Sequence, residues 1–179
     1  MMQRVSKWST GAAVLAFVLH AGAAKSAIAQ GSGIDGINAI QAYEGTWKTE
    51  MEHFNTAYSK AGKESTTLQN DCWKSGEFYA CHQVVNGESK ALIVFTYDST
   101  TKAYTTYPIT LDGRAAGHGK LVIEGNVWTY PWEDTENGKT TYFRVVNTFT
   151  TPKTIEFRQE YSTDQKSWTL MAKGTEVKQ

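Results

Sequence analysis

From Gly45 onward, polar and apolar residues alternate with a period of two, as in strands that turn one face to a core. In the first such stretch Trp47, Thr49, Met51 and His53 share one face, and Lys48, Glu50 and Glu52 share the other. A polar loop at 57–63 follows, and after it the alternation resumes in runs at 90–97, 102–110, 120–124, 127–133, 139–150, 154–162 and 167–178. Turn chemistry separates the runs: Asp98-Ser99-Thr100-Thr101, Gly125-Asn126, Asn137-Gly138, Thr151-Pro152-Lys153 and Asp164-Gln165-Lys166. Pro108 lacks an N–H, so part of its strand is predicted to lack a ladder partner or to carry a bulge. The least regular stretch is 111–119.

Upstream of Gly45 the period changes. Ile34, Ile37 and Ile40, with Tyr43 or Ala42 near the same face, recur at helical spacing and predict one short helix of two to three turns. The whole pattern predicts an all-β chain, a single antiparallel up-and-down β-barrel of about 8–10 strands with a short N-terminal helix. A sandwich would hide its edges as well.

The stretch from Asp71 to His82 holds both cysteines. As a hairpin with a Gly76-Glu77 loop it sets Cys72 opposite Cys81, Trp73 opposite Ala80, Lys74 opposite Tyr79 and Asp71 opposite His82. Glycine at the first loop position suits a type II′ turn, where φ is positive. Counting from the loop, the cysteines occupy a non-hydrogen-bonded pair, close enough for a disulfide. Their spacing is not that of a C-x-x-C redox motif, and no second Cys/His pair completes a zinc site.

Composition adds an address. Arg4 and Lys7 precede an apolar run at 11–19, and Ala27-Ile28-Ala29 is an A-x-A cleavage site. Residues 1–29 therefore read as a signal peptide, 30–44 as lead-in and helix, and 45–179 as the barrel domain. The apolar run is too short for a membrane span, which takes about 20 residues. The expected localisation is periplasmic or secreted, where paired cysteines staple. Cleavage leaves 150 residues with 15 basic and 18 acidic side chains. That balance argues against nucleic acid as a partner, since its binders concentrate positive charge.

The order of short helix, Gly45-Thr46-Trp47 on the first strand and then a meander resembles the lipocalin and fatty-acid-binding barrels. More narrowly, the chain is similar to uncharacterised exported bacterial proteins of lipocalin-like (calycin) fold. The residues that carry this are Gly45-Thr46-Trp47, the cysteine hairpin, Tyr97-Asp98 leading to Lys102-Ala103-Tyr104, Val127-Trp128-Thr129-Tyr130, Tyr142-Phe143-Arg144 and Ser167-Trp168-Thr169. The resemblance implies that Trp47 plugs one barrel end under a basic side chain of the last strand, for which Lys173 is the candidate. Haem-binding barrels of the nitrobindin type also begin with Gly-x-Trp. Their later histidine has no counterpart here beyond His118, so no cofactor is expected.

Candidate binding residues follow from the faces. Met51 and His53 extend the Trp47 face. Asp71 and His82 are cross-strand partners, able to orient a ligand on an inner face or to form an ordinary ion pair on an outer one. Arg144, with Tyr142 and Val146 on its face, would meet a ligand carboxylate inside the barrel, or a strand charge such as Glu156 or Glu160 outside it. No Gly-x-Ser-x-Gly, zinc helix or phosphate loop is present. The primary expectation is thus a barrel binding a small apolar or amphipathic ligand. A filled barrel acting through a protein partner in the cell envelope is the alternative, and an enzyme the third reading.

Overall fold

Short loops set the register of the sheet. In Gly76-Glu77 only the glycine has positive φ (56°), the type II′ pattern, while Asn137-Gly138 has positive φ at both positions, the type I′ pattern. Both match the right-handed twist of the strands they join. The computed structural model describes residues 36–115 and 117–179. The expected signal peptide with its cleavage site, and the lead-in through residue 35, lie outside these.

Among the described residues, ten strands follow one short helix: β1 (Gly45–His53), β2 (Gly62–Ser75), β3 (Phe78–Val85), β4 (Glu88–Asp98), β5 (Ala103–Thr110), β6 (Gly119–Glu124), β7 (Val127–Glu136), β8 (Lys139–Thr151), β9 (Thr154–Ser162) and β10 (Thr169–Lys178). Each pairs antiparallel with the next, and β1 pairs with β10, closing an up-and-down barrel. The predicted short helix is present as a 3-10 helix, Gly36–Tyr43, and Ile34 lies outside the described residues. Ile37, Ile40 and Tyr43 still form one buried face and cap one end of the barrel. Among the described residues no helix is long and apolar enough to cross a membrane.

The hairpin register is as expected, with Asp71↔His82, Cys72↔Cys81, Trp73↔Ala80 and Lys74↔Tyr79 paired, and the cysteines joined in a disulfide. Pro108 lies beyond the short β5–β6 ladder, which ends at Thr106↔Gly119. Past that point an isolated bridge joins Ile109 to Ala115, and the Thr110 amide donates to the Arg114 carbonyl (3.0 Å).

Aromatics fill the helix end. Trp47 is 0% exposed, and its indole N–H donates to the Tyr43 carbonyl (3.0 Å). Tyr43 stacks on Trp128 (5.6 Å), which meets Phe149 (4.9 Å). The basic cover over Trp47 is Lys178, whose Nζ lies 5.4 Å from the ring centroid, and not Lys173. The closing ladder decides this: Trp47 pairs with Lys178, whereas Lys173 pairs with Glu52 on the outer face and lies over Phe54. Gly45 makes room for that cover, because a Cβ there would sit 2.7 Å from Lys178 Cε and its φ is +112°.

Trp47→Ala is expected to lower stability by about 3–5 kcal/mol, from lost burial plus the cavity left behind; a urea midpoint equal to wild type would contradict its role as the plug. Thiol titration of unfolded, unreduced protein should find no free cysteine. Replacing Cys72 and Cys81 by serine should cost about 2–3 kcal/mol for so short a loop, read from the same denaturation curves.

Candidate functional site

Above the aromatic plug the barrel interior turns polar. Tyr43 reaches up from the helix, where its hydroxyl accepts a hydrogen bond from Asn147 Nδ2 of β8 and shares another with Tyr130 of β7. Glu176 projects inward from β10, opposite Thr49 of β1, which is in turn opposite Thr66 of β2. Only 3% of Glu176 is exposed. Burial pushes its carboxyl from 4.5 up to about 7, because an ionised oxygen loses its water without gaining a partner. The same burial, together with the Glu176 charge, holds the Tyr43 and Tyr130 phenols well above their usual value. Both stay neutral hydroxyls at any physiological pH.

Glu176, Thr49, Thr66 and Asn147 border an interior chamber of about 30 Å³, room for one or two water-sized groups. Its polar lining is Thr49, Thr66, Gln83, Asn147, Gln159 and Glu176, with Glu64 at the rim. Met51, Leu68, Val85, Val145 and Phe157 form the apolar remainder. Among the described residues, Thr49 Oγ1, Glu64 Oε1, Thr106 Oγ1 and Glu176 Oε2 are buried without a hydrogen-bond partner. Three of these four belong to residues lining the chamber. A second concavity of about 740 Å³ is lined by residues of β1, β2, β9 and β10 and shares Met51, Glu64 and Phe157 with the chamber. Its Lys63 and Lys173 already lie beside Glu52, at 4.0 and 3.7 Å.

The residues singled out in the sequence divide by face. Met51 is buried and lines the chamber, and half-buried His53 stands at the mouth with Nε2 3.8 Å from Glu64 Oε1. Arg144 does not reach the interior. Phe143, Val145 and Asn147 take the inward positions of β8, so Arg144 and Tyr142 point outward. There the Arg144 guanidinium donates to Glu160 Oε2 (2.6 Å) and lies 3.9 Å over the Trp168 ring. This is the cross-strand pairing that was the alternative for Arg144, with Glu160 as partner.

Asp71 and His82 are also on the outer face. The disulfide takes the inner positions, and neighbours along a strand alternate faces. Asp71 accepts from Gln69 Nε2 (3.0 Å) and His82 Nε2 shares a hydrogen bond with Ser89 Oγ (2.9 Å), so the two do not bond each other. Among the described residues no group of His, Cys, Asp or Glu is placed to hold a metal ion. The residue that sequence reasoning missed is Glu176. Counting by twos from the small residues Ala172 and Gly174 would have put it inside, against its charge.

No family model matches the chain, and no curated protein matches it in sequence. Two solved structures are similar in shape. The S-type phycobiliprotein lyase CpeS from Guillardia theta has 10% identity and a TM-score of 0.46, over 79% of this chain and 91% of that one. Rv2717c from M. tuberculosis has 9% identity and a TM-score of 0.44, over 81% and 99%. The barrel assignment rests on the strand pairing itself, not on likenesses at this level.

An acid whose pKa is raised on folding holds its proton more tightly folded than unfolded. The folded state therefore loses stability as pH rises from about 4.5 to about 7, and the loss persists above that. Glu176→Gln should remove this penalty, making the protein about 3 kcal/mol more stable than wild type at pH 8 and no different at pH 4. Denaturant midpoints at the two pH values check it.

Proposed function

We propose that the protein is an exported ligand-binding barrel whose site is the polar chamber around Glu176, entered from the end that carries His53 and Glu64. The observation that carries this reading is the buried carboxylate itself. A barrel interior serving only as filling is most stable when apolar or when its polar groups satisfy one another. Here an acid buries one oxygen without a hydrogen-bond partner, beside a threonine hydroxyl that also lacks one. The disulfide supports an oxidising, extracytoplasmic compartment.

The chamber also limits the ligand. Drug-sized pockets run to roughly 300–1,000 Å³, and this one is about 30 Å³. A long-chain carboxylate does not fit it, and its head group would meet Glu176 as a like charge. The ligand is a small polar molecule, or the polar head of one whose remainder lies toward the mouth.

A second reading has its own observation. On the outer face of β2–β5, Trp73, Ala80, Val94 and Tyr107 form one cross-strand row. Trp73 is 48% and Tyr107 40% exposed, and Phe78 sits nearby. Such a surface suits a protein partner.

A panel of small polar compounds and fatty acids, followed by buried-tryptophan fluorescence and thermal midpoint, separates the two readings. Saturable binding of a small polar compound, lost in Glu176→Leu and insensitive to Trp73→Ser, is the expected result. Silence across the panel would move the proposal to the outer face.

A further inference from the structure

We infer that the chamber takes a cation rich in hydrogen-bond donors, the ammonium head of a small primary amine, seated on Glu176 and Thr49; this rests on the reading of the interior as the ligand site. The unpartnered atoms there are all oxygens: Glu176 Oε2, Thr49 Oγ1 and, at the rim, Glu64 Oε1. A carboxylate can only accept, and an ammonium has three donors and no acceptor. Glu176 and Thr49 face each other across the β1–β10 ladder and are each more than nine-tenths buried.

Among the described residues no lysine or arginine lines the chamber, so the carboxylate has no internal counter-charge. The second carboxylate at the mouth, Glu64 beside His53, adds negative potential along the entry and disfavours anions. Met51, Val145 and Phe157 give apolar walls for a short alkyl chain. The volume, about 30 Å³, suits an ammonium with one or two carbons and not a bulky quaternary cation. A bare alkali ion shares the charge but cannot donate a hydrogen bond, and it forms a separate arm of the test.

Binding requires Glu176 ionised and the amine protonated, and an alkyl amine stays charged up to about pH 10. The titratable groups facing Glu176 are Tyr43 from the helix, Tyr130 from β7 and Glu64 from β2, with His53 behind Glu64. The two phenols stay neutral throughout. With the Glu176 carboxyl at about 7, affinity should fall about tenfold from pH 8 to pH 6 as the carboxylate takes up its proton. Because His53 stands beside Glu64 at the mouth, the slope is also measured in His53→Gln.

The experiment is calorimetric titration of the full chain at pH 8 and matched ionic strength. The probes are methylammonium and ethylammonium, methanol and ethanol, acetate, tetramethylammonium and potassium, each as a separate arm. The primary ammonium ions should bind saturably, and the others should not. Glu176→Gln should weaken that binding roughly 10- to 150-fold, the loss of a charged hydrogen-bond partner, and Thr49→Val should weaken it less. Alcohols binding as well as amines, with Glu176→Gln without effect, would overturn the amine assignment and keep the chamber. Potassium binding in place of amines would make it a metal-ion site and overturn the assignment too. Failure of every probe, at both pH values, would overturn the interior ligand site itself and this inference with it.

Discussion

The structure depends on one ladder, the antiparallel pairing of β1 with β10 from Trp47↔Lys178 to His53↔Ala172. An up-and-down sheet of ten strands has two edges, and every unpaired N–H and C=O along them would be open to another chain. Closing the ladder removes both edges together. It also brings the two ends of the sequence onto the same interior, and this gives the barrel its two notable contacts. At the helix end it lays Lys178 over Trp47. One layer up it sets Glu176 against Thr49. Plug and chamber are consecutive inward layers of one pair of strands.

Local chemistry made much of the fold readable. The Gly76-Glu77 loop fixes its hairpin because only one turn type fits a positive φ at the first position and not the second. From that loop the pairing of Cys72 with Cys81 follows by counting. Asp98 is equally explicit, its carboxylate accepting from the Thr100 and Thr101 amides to hold the β4–β5 turn. The helix was legible as a buried Ile37/Ile40/Tyr43 face but not as a 3-10 helix, since spacings of three suit either winding over so short a span.

The site was legible only in part, for a reason of symmetry. A period of two separates the two faces of a strand without saying which is inside, and aromatic residues stand on both faces here. Trp73 and Phe78 share the Asp71–His82 face, and both are exposed. Arg144 had the same ambiguity, and its outward partners Glu160 and Trp168 lie on other strands, out of reach of any local pattern. The disulfide resolves the hairpin once its cysteines are known to be inside. Glu176 stayed hidden because charge is the strongest signal for the surface, and here that signal is wrong.

That failure bears on function. Replacing a buried carboxylate that has no counter-charge by a neutral or apolar group of similar size stabilises a protein in general, and such replacements are readily available to drift. The barrel could seal its helix end with Trp47, Trp128 and Phe149 and need nothing polar above them. Instead it surrounds one acid with groups that neither neutralise it nor donate to its free oxygen: a threonine opposite, two phenols held neutral, and no basic side chain in the lining. Exposed strand charges on the same molecule are treated differently, with Lys48, Lys90 and Arg158 each lying beside a glutamate. The acid left without a counter-charge in the barrel's middle layer also carries a buried oxygen with no hydrogen-bond partner, and a cationic ligand would offset both deficits in a single step.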